Sequence, residues 1–167
     1  MSLSSDRLKG KVCVVTGAAK SIGFGIAKKF AEQGAKTVLL DIDPAVKESA
    51  KTLADAGYPV WGHVIDITKR QEVLRLFDTI VKDCGNVYCL CNVAGIVDQR
   101  PFLEYTEEGF DRVFRVNVNG TAWCCQGALP SMIAGKQGGR IINFSSKSGK
   151  TGSALMAPYS SAKGAVI

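Results

Sequence analysis

The chain has 167 residues, 46% hydrophobic and 22% charged, which suits one globular domain (residues 1–167) with a proper core. Its formal net charge is +6, but the basic residues are scattered (Lys9, Lys28, Lys69, Arg70) rather than gathered in one run, which argues against dedicated nucleic-acid binding. No apolar run approaches the length of a membrane span, and no apolar leader opens the chain, so the expectation is no membrane partner and a cytoplasmic protein.

The elements alternate along the chain. Residues 12–16 form an apolar run ending at Gly17, as expected of a buried parallel strand. Ser21 to Gln33 has helical spacing (Ile22, Ile26, Phe30) and stops at Gly34, a C-terminal cap. Further strands are expected at Thr37–Asp41, Val60–Ile65, Val87–Cys91 and Arg140–Phe144. Helices are expected at Pro44–Ala56 and Lys69–Asp83, then as one long helix Thr106–Ala134 bent near Gly120, and finally from Pro158. Strands alternating with helices predict a doubly wound parallel sheet, a Rossmann fold of three α/β/α layers with strand order 3-2-1-4-5.

Six cysteines sit mostly in apolar runs and lack zinc-site spacing, so reduced core thiols are expected and no metal. His63 is the only histidine and falls in an apparent strand. An enzyme built on this chain would therefore move protons with another group.

The residues able to touch a ligand follow strand C-termini, where such sheets bind. Gly17 permits a tight turn and Gly23 a close packing of helix on strand. The helix N-terminus then offers N–H groups to a pyrophosphate. Asp41 ends the second strand, where a carboxylate accepts from ribose hydroxyls and repels a 2′-phosphate. Lys20 pulls the other way, and NAD is favoured over NADP. Asp66 is placed either to bind an adenine amino group or to cap the next helix. Asn92, Ala94 and Gly95 either let a cofactor pass close or simply make a turn. Tyr159 and Lys163 stand one helical turn apart on a shared face. An unperturbed phenol has a pKa of about 10, and a nearby ammonium favours its ionised form. Ser146 opens a glycine-containing loop able to bring its hydroxyl toward Tyr159.

Together these residues resemble the short-chain dehydrogenase/reductase family from about Lys9 to Ile167. The likeness rests on the glycine turn, Asp41, Asp66, residues 92–95, residues 117–120, Ser146 and Tyr159-x-x-x-Lys163 in order. It implies a nicotinamide-dependent enzyme interconverting a secondary alcohol and a ketone. Tyr159 would be the general acid or base, Lys163 would bind the nicotinamide ribose, and Ser146 would polarise the substrate oxygen. Ser146 is chosen over Ser145 because the family's serine lies thirteen positions before the tyrosine (159 − 13 = 146). Asn117 would hold a water linking Lys163 to solvent. Gly17, Ile22, Asp41, Asp66, Ile67 and Asn92 would line the cofactor site, with Ser21, Gly23, Ala94 and Gly95 beside them. A polyol or small hydroxy compound is the expected substrate, and a 3-oxoacyl thioester the runner-up. A non-catalytic dinucleotide-binding module is the competing class.

Three departures from the family carry expectations. Ser21 replaces the middle glycine of the turn, and its hydroxyl is expected to cap the helix and bind a phosphate oxygen. Val93 replaces a second asparagine, removing a hydrogen bond that steadies the central strands. The chain is also C-terminally short. Family members continue past Lys163 through two strands and a substrate loop, so this is expected to be a fragment of a longer enzyme, a homo-oligomer (dimer or tetramer) at full length.

Overall fold

The computed structural model describes residues 6–167. Five parallel strands, β1 (Val12–Thr16), β2 (Lys36–Asp41), β3 (Val60–Val64), β4 (Val87–Asn92) and β5 (Arg140–Asn143), form one sheet in the order β3-β2-β1-β4-β5. The expected strand order is found. All five residues of β1 are buried, because it lies centrally and is covered on both faces.

Alternate residues of each strand feed two helical layers. On one face Val12, Val14, Val38, Leu40 and Leu90 pack with Val73, Phe77 and Ile80 of α3 (Arg70–Cys84) and with Cys124, Ala128 and Met132 of α5 (Thr121–Ala134). On the other, Val15, Leu39 and Cys91 meet Ala27 of α1 (Ser21–Glu32) and Val46 and Ala50 of α2 (Val46–Asp55). Gly34 ends α1 at φ +84°, its N–H donating to the Ala31 carbonyl at 2.9 Å, as the sequence leads one to expect.

The long helix expected over 106–134 is three pieces. α4 (Glu107–Phe114) is capped by Thr106, whose hydroxyl accepts from the Gly109 N–H at 3.1 Å. A π-helical stretch, Arg115–Gly120, then leads into α5. The irregularity has two tertiary causes. A Cβ on Gly120 would stand 2.6 Å from Ile67 Cδ1, so the helix runs hard against the segment after β3. Asn117, wholly buried, spends its amide on another segment's backbone. Single π turns of this kind concentrate at functional sites. A short helix α6 (Ser148–Thr151) and a 3₁₀ turn (Phe102–Glu104) join what the periodicity forecasts, and α7 (Ala157–Ala165) starts one residue before the expected Pro158.

The cysteines are free thiols, five buried and Cys125 half-buried. Burial pushes the Cys91 and Cys124 thiols up to about 12, so they stay protonated. His63 is half-buried in β3, and burial lowers its pKa. Among the described residues no helix is long and apolar enough to cross a membrane, and no group of three or more His, Cys, Asp or Glu could hold a metal ion.

Candidate active site

A cavity of about 410 Å³ opens over the carboxyl ends of β1, β2 and β4. Gly17, Ser21, Ile22, Gly23, Asp41 and Asp66 line its walls, with Ile67, Ala94 and Gly95 beside them, as the sequence suggests. Gly17 sits at φ +66°, and a Cβ there would lie 2.8 Å from Ala94 Cα. A Cβ on Gly23 would collide with the Gly17 carbonyl oxygen. The turn is therefore cut to the thickness of bare backbone, leaving a cradle that only glycines keep open.

Ser21 occupies this turn at a cost. Its φ is +52°, the left-handed region that glycine enters freely and serine does not. The expected cap is not formed. Lys20 is the N-cap residue with no side-chain capping bond, and the Ser21 hydroxyl joins no hydrogen bond among the described residues. It stays free to face the cavity.

Asp41 is anchored by backbone. Its Oδ2 accepts from the Ala19 N–H at 2.9 Å and its Oδ1 from the Asp43 N–H at 3.0 Å. Lys20 does not offer an unopposed cation, because its Nζ lies 3.5 Å from Asp43 Oδ2. That pair is exposed and contributes little to stability. The Ala45 N–H, and then Lys20, lower the Asp43 pKa. Asp66 does not cap α3. Its Oδ1 accepts from the Thr68 N–H at 2.9 Å and the Thr68 hydroxyl at 2.8 Å in a local turn, leaving Oδ2 for a ligand.

One expectation about the strand ends is corrected. Asn92 does not line the cavity. Its Nδ2 donates to Asn143 Oδ1 at 2.9 Å and to Cys125 Sγ at 3.4 Å, because its side chain lies between β4 and β5. At Val93, which has no polar side chain to make the second asparagine's bond, backbone groups still tie the central strands. The Thr16 hydroxyl accepts from the Val93 and Ala94 N–H groups, both at 3.1 Å, and bridges β1 to β4.

Lys163 is the centre of the second half of the site. Only 5% of it is exposed, and its Nζ donates to the Phe144 carbonyl at 2.6 Å, just beyond β5. Burial lowers its pKa from 10.5. The same Nζ lies 5.9 Å from the Tyr159 ring centroid and 3.4 Å from where a Cβ on Gly95 would stand. Gly95 lines the cavity, so the amine reaches its edge.

The Asn117 side chain is paired with Ile96. Its Oδ1 accepts from the Ile96 N–H at 2.9 Å and its Nδ2 donates to the Ile96 carbonyl at 2.8 Å. One Nδ2 hydrogen and one Oδ1 lone pair remain open to a water. Its two bonds to Ile96 pin the chain beyond Gly95.

The two serines are held differently. The Ser145 hydroxyl donates to the Lys163 carbonyl at 2.6 Å and so ties β5 to α7. Ser146 Oγ accepts from the Ser148 N–H at 3.2 Å, leaving its own proton to donate. The Ser146 and Tyr159 hydroxyls do not bond one another, and Tyr159 Oη has no hydrogen-bond partner among the described residues.

Sequence reasoning missed Ile42, Ile96 and Val116 on the cavity wall. Ile42 carries a readable signal, a large apolar residue directly after a strand that ends in Asp. It is 66% exposed, and Ile22, also on the cavity wall, is 63% exposed.

These features agree with relationships found by comparison. A profile described as short chain dehydrogenase matches residues 11–167. The chain is 35% identical over 161 residues to sorbitol dehydrogenase of Cereibacter sphaeroides and 38% identical over 162 to galactitol 2-dehydrogenase of Agrobacterium fabrum. In each case the match covers 96% of this chain and 62% of the relative. The crystal structure of NAD+-bound xylitol dehydrogenase superposes with a TM-score of 0.91 at 33% identity, covering 96% of this chain and 62% of that one. The chain belongs to the short-chain dehydrogenase family, and it spans about three fifths of the length of these relatives.

Two outcomes are expected. Ser21→Gly should raise stability by about 1 kcal/mol by removing the left-handed cost, read as a higher urea midpoint with an unchanged slope. The second concerns pH. A lysine whose folded pKa is depressed has its stability contribution fully present above 10.5 and loses it as pH falls through the folded value. Wild type should therefore gain stability relative to Lys163→Met as pH rises toward 10.5, measured by urea melts across the alkaline range.

Proposed function

We propose that this chain carries the cofactor-binding and proton-transfer parts of an NAD(H)-dependent oxidoreductase acting on a secondary alcohol or its ketone. The observation that carries this reading is the buried Lys163 amine, beside Tyr159, at the edge of a glycine-cradled cavity.

The residues present fit a dinucleotide. The Gly17 turn and the free Ser21 hydroxyl face the place for a pyrophosphate at the start of α1. Asp41 accepts from ribose hydroxyls with its remaining lone pairs. Ile22 and Ile42 flank an adenine, and Asp66 Oδ2 accepts from its amino group. The carboxylates of Asp41 and Asp43 disfavour a 2′-phosphate, and Lys20 is already engaged with Asp43. This supports NAD over NADP, as does the NAD+ bound in the similar xylitol dehydrogenase structure.

When bound, the nicotinamide supplies or accepts the hydride. The Tyr159 hydroxyl gives a proton to the nascent alkoxide oxygen in reduction and takes one from the alcohol in oxidation. Ser146 donates its free proton to the same oxygen and fixes its position. Lys163 holds the ribose on the nicotinamide side. Asn117 acts through Ile96, keeping the segment beyond Gly95 clear of the cofactor's path. The names of the relatives, which act on sorbitol, galactitol and xylitol, support a polyol as the substrate class.

Trp61 and Trp123 fluorescence titrated with NADH and NADPH, alongside turnover on a polyol panel, tests the reading. NADH should quench more tightly than NADPH. Tyr159→Phe should keep NADH binding and lower turnover by about 10²–10⁴-fold. Absence of quenching by either dinucleotide, or full turnover in Tyr159→Phe, contradicts it.

A further inference from the structure

The loop between Ser146 and Tyr159 contains a strained residue to which the chemistry above gives no role. Leu155 stands at φ +62°, where the Cβ of an L-residue crowds the adjoining carbonyl. Its side chain is not what keeps it there, since the residue is 54% exposed. Such strain persists only where surrounding contacts over-determine the backbone, and it concentrates at functional sites.

Here the contacts fall on the Leu155 carbonyl. It accepts the Arg100 main-chain N–H at 3.0 Å and the Tyr105 hydroxyl at 2.7 Å. Both donors come from the segment between Gly95 and α4. The Tyr105 hydroxyl also lies 2.8 Å from the Asp98 carbonyl oxygen. A phenol has one proton, so it is shared between two loops' carbonyls.

The Tyr105 ring is itself held in place. The Arg100 guanidinium lies over it, 5.6 Å from the centroid. Arg100 is fixed in turn by a two-pronged contact with Asp98, Nε to Oδ1 and Nη2 to Oδ2, both at 3.0 Å. The Asp98 side chain is only 6% exposed. On its other side Tyr105 meets Phe110 edge-on at 6.1 Å, and Phe110 stacks on Phe114 at 5.7 Å, so the ring is anchored to α4.

Leu155 lies two residues before α7, and Tyr159 is the third residue of that helix. Letting Leu155 relax would redirect the chain where it enters α7 and turn the first helical turn, which carries the phenol. We propose that Tyr105 is a positioning residue: its hydroxyl latches the strained Leu155 carbonyl and sets the register in which Ser146 and Tyr159 face the substrate. The catalytic consequence rests on the function proposed above; the latch does not.

The test compares Tyr105→Phe, Leu155→Asn and the double variant on the 167-residue chain, by hydrogen exchange of peptides, NADH fluorescence and polyol oxidation with NAD+. Tyr105→Phe should speed exchange over residues 153–158 about tenfold and leave residues 11–25 unchanged. NADH affinity should stay within about twofold and KM for NAD+ unchanged, while kcat falls about tenfold. Asparagine tolerates the left-handed conformation, so Leu155→Asn alone should slow exchange there. Added to Tyr105→Phe, it should return exchange and kcat toward wild type. Unchanged exchange over 153–158 in Tyr105→Phe, or a further loss when Leu155→Asn is added, overturns the latch. A wild-type chain that binds neither dinucleotide counts against the proposed function, and the exchange result still decides the latch.

Discussion

An amine buried in the interior of an α/β sheet must be met by oxygen, and Lys163 is where this constraint acts. Its Nζ takes the carbonyl of Phe144, which fixes α7 against the end of β5. The Ser145 hydroxyl holds the lysine's own carbonyl, so the residue is gripped at both ends. Gly95 leaves room beside the amine, and Asn117 keeps the next peptide in place. Strand β4, strand β5, the π-helical stretch and α7 thus meet at one point because one lysine requires it.

The sheet decides where that point lies. In the order β3-β2-β1-β4-β5, the chain leaves β1 toward β2 and later returns to β4 on the other side. The loops diverge there and leave a crevice at the carboxyl edge. The Thr16 hydroxyl bridges the two sides through the Val93 and Ala94 N–H groups, so the crevice floor is rigid. Gly17 and Gly23 thin the wall on the β1 side. The two halves of the site, the cavity at the glycine turn and the pair Tyr159 and Lys163, are joined at Gly95.

Much of this was legible in the sequence. The apolar runs gave every strand and the sheet order, because buried parallel strands have few other readings. Tyr159, Lys163, Asp41 and Gly17 could be singled out as candidates because each follows a strand or stands one helical turn from its partner. What escaped was set by contacts between distant segments. The π-helical stretch depends on Gly120 against Ile67, and nothing near residue 120 announces it. Asn92 was assigned to the cofactor, yet its amide turns to Asn143, fifty-one positions away. Ser21 was recognised as a departure, but its left-handed backbone, and the cap it fails to make, emerge only from the folded turn. Leu155 gives no local sign of strain, because the donors that hold it come from the segment beyond β4.

A crystal structure of the chain with NAD+ bound is the most direct test of the claim that the Lys163 amine organises the site. The account predicts nicotinamide-ribose hydroxyls within hydrogen-bond reach of Lys163 Nζ, and the Tyr159 and Ser146 hydroxyls turned toward one point beside the ring. NAD+ seated away from the Gly17 turn, or a ribose out of reach of Lys163, would contradict it.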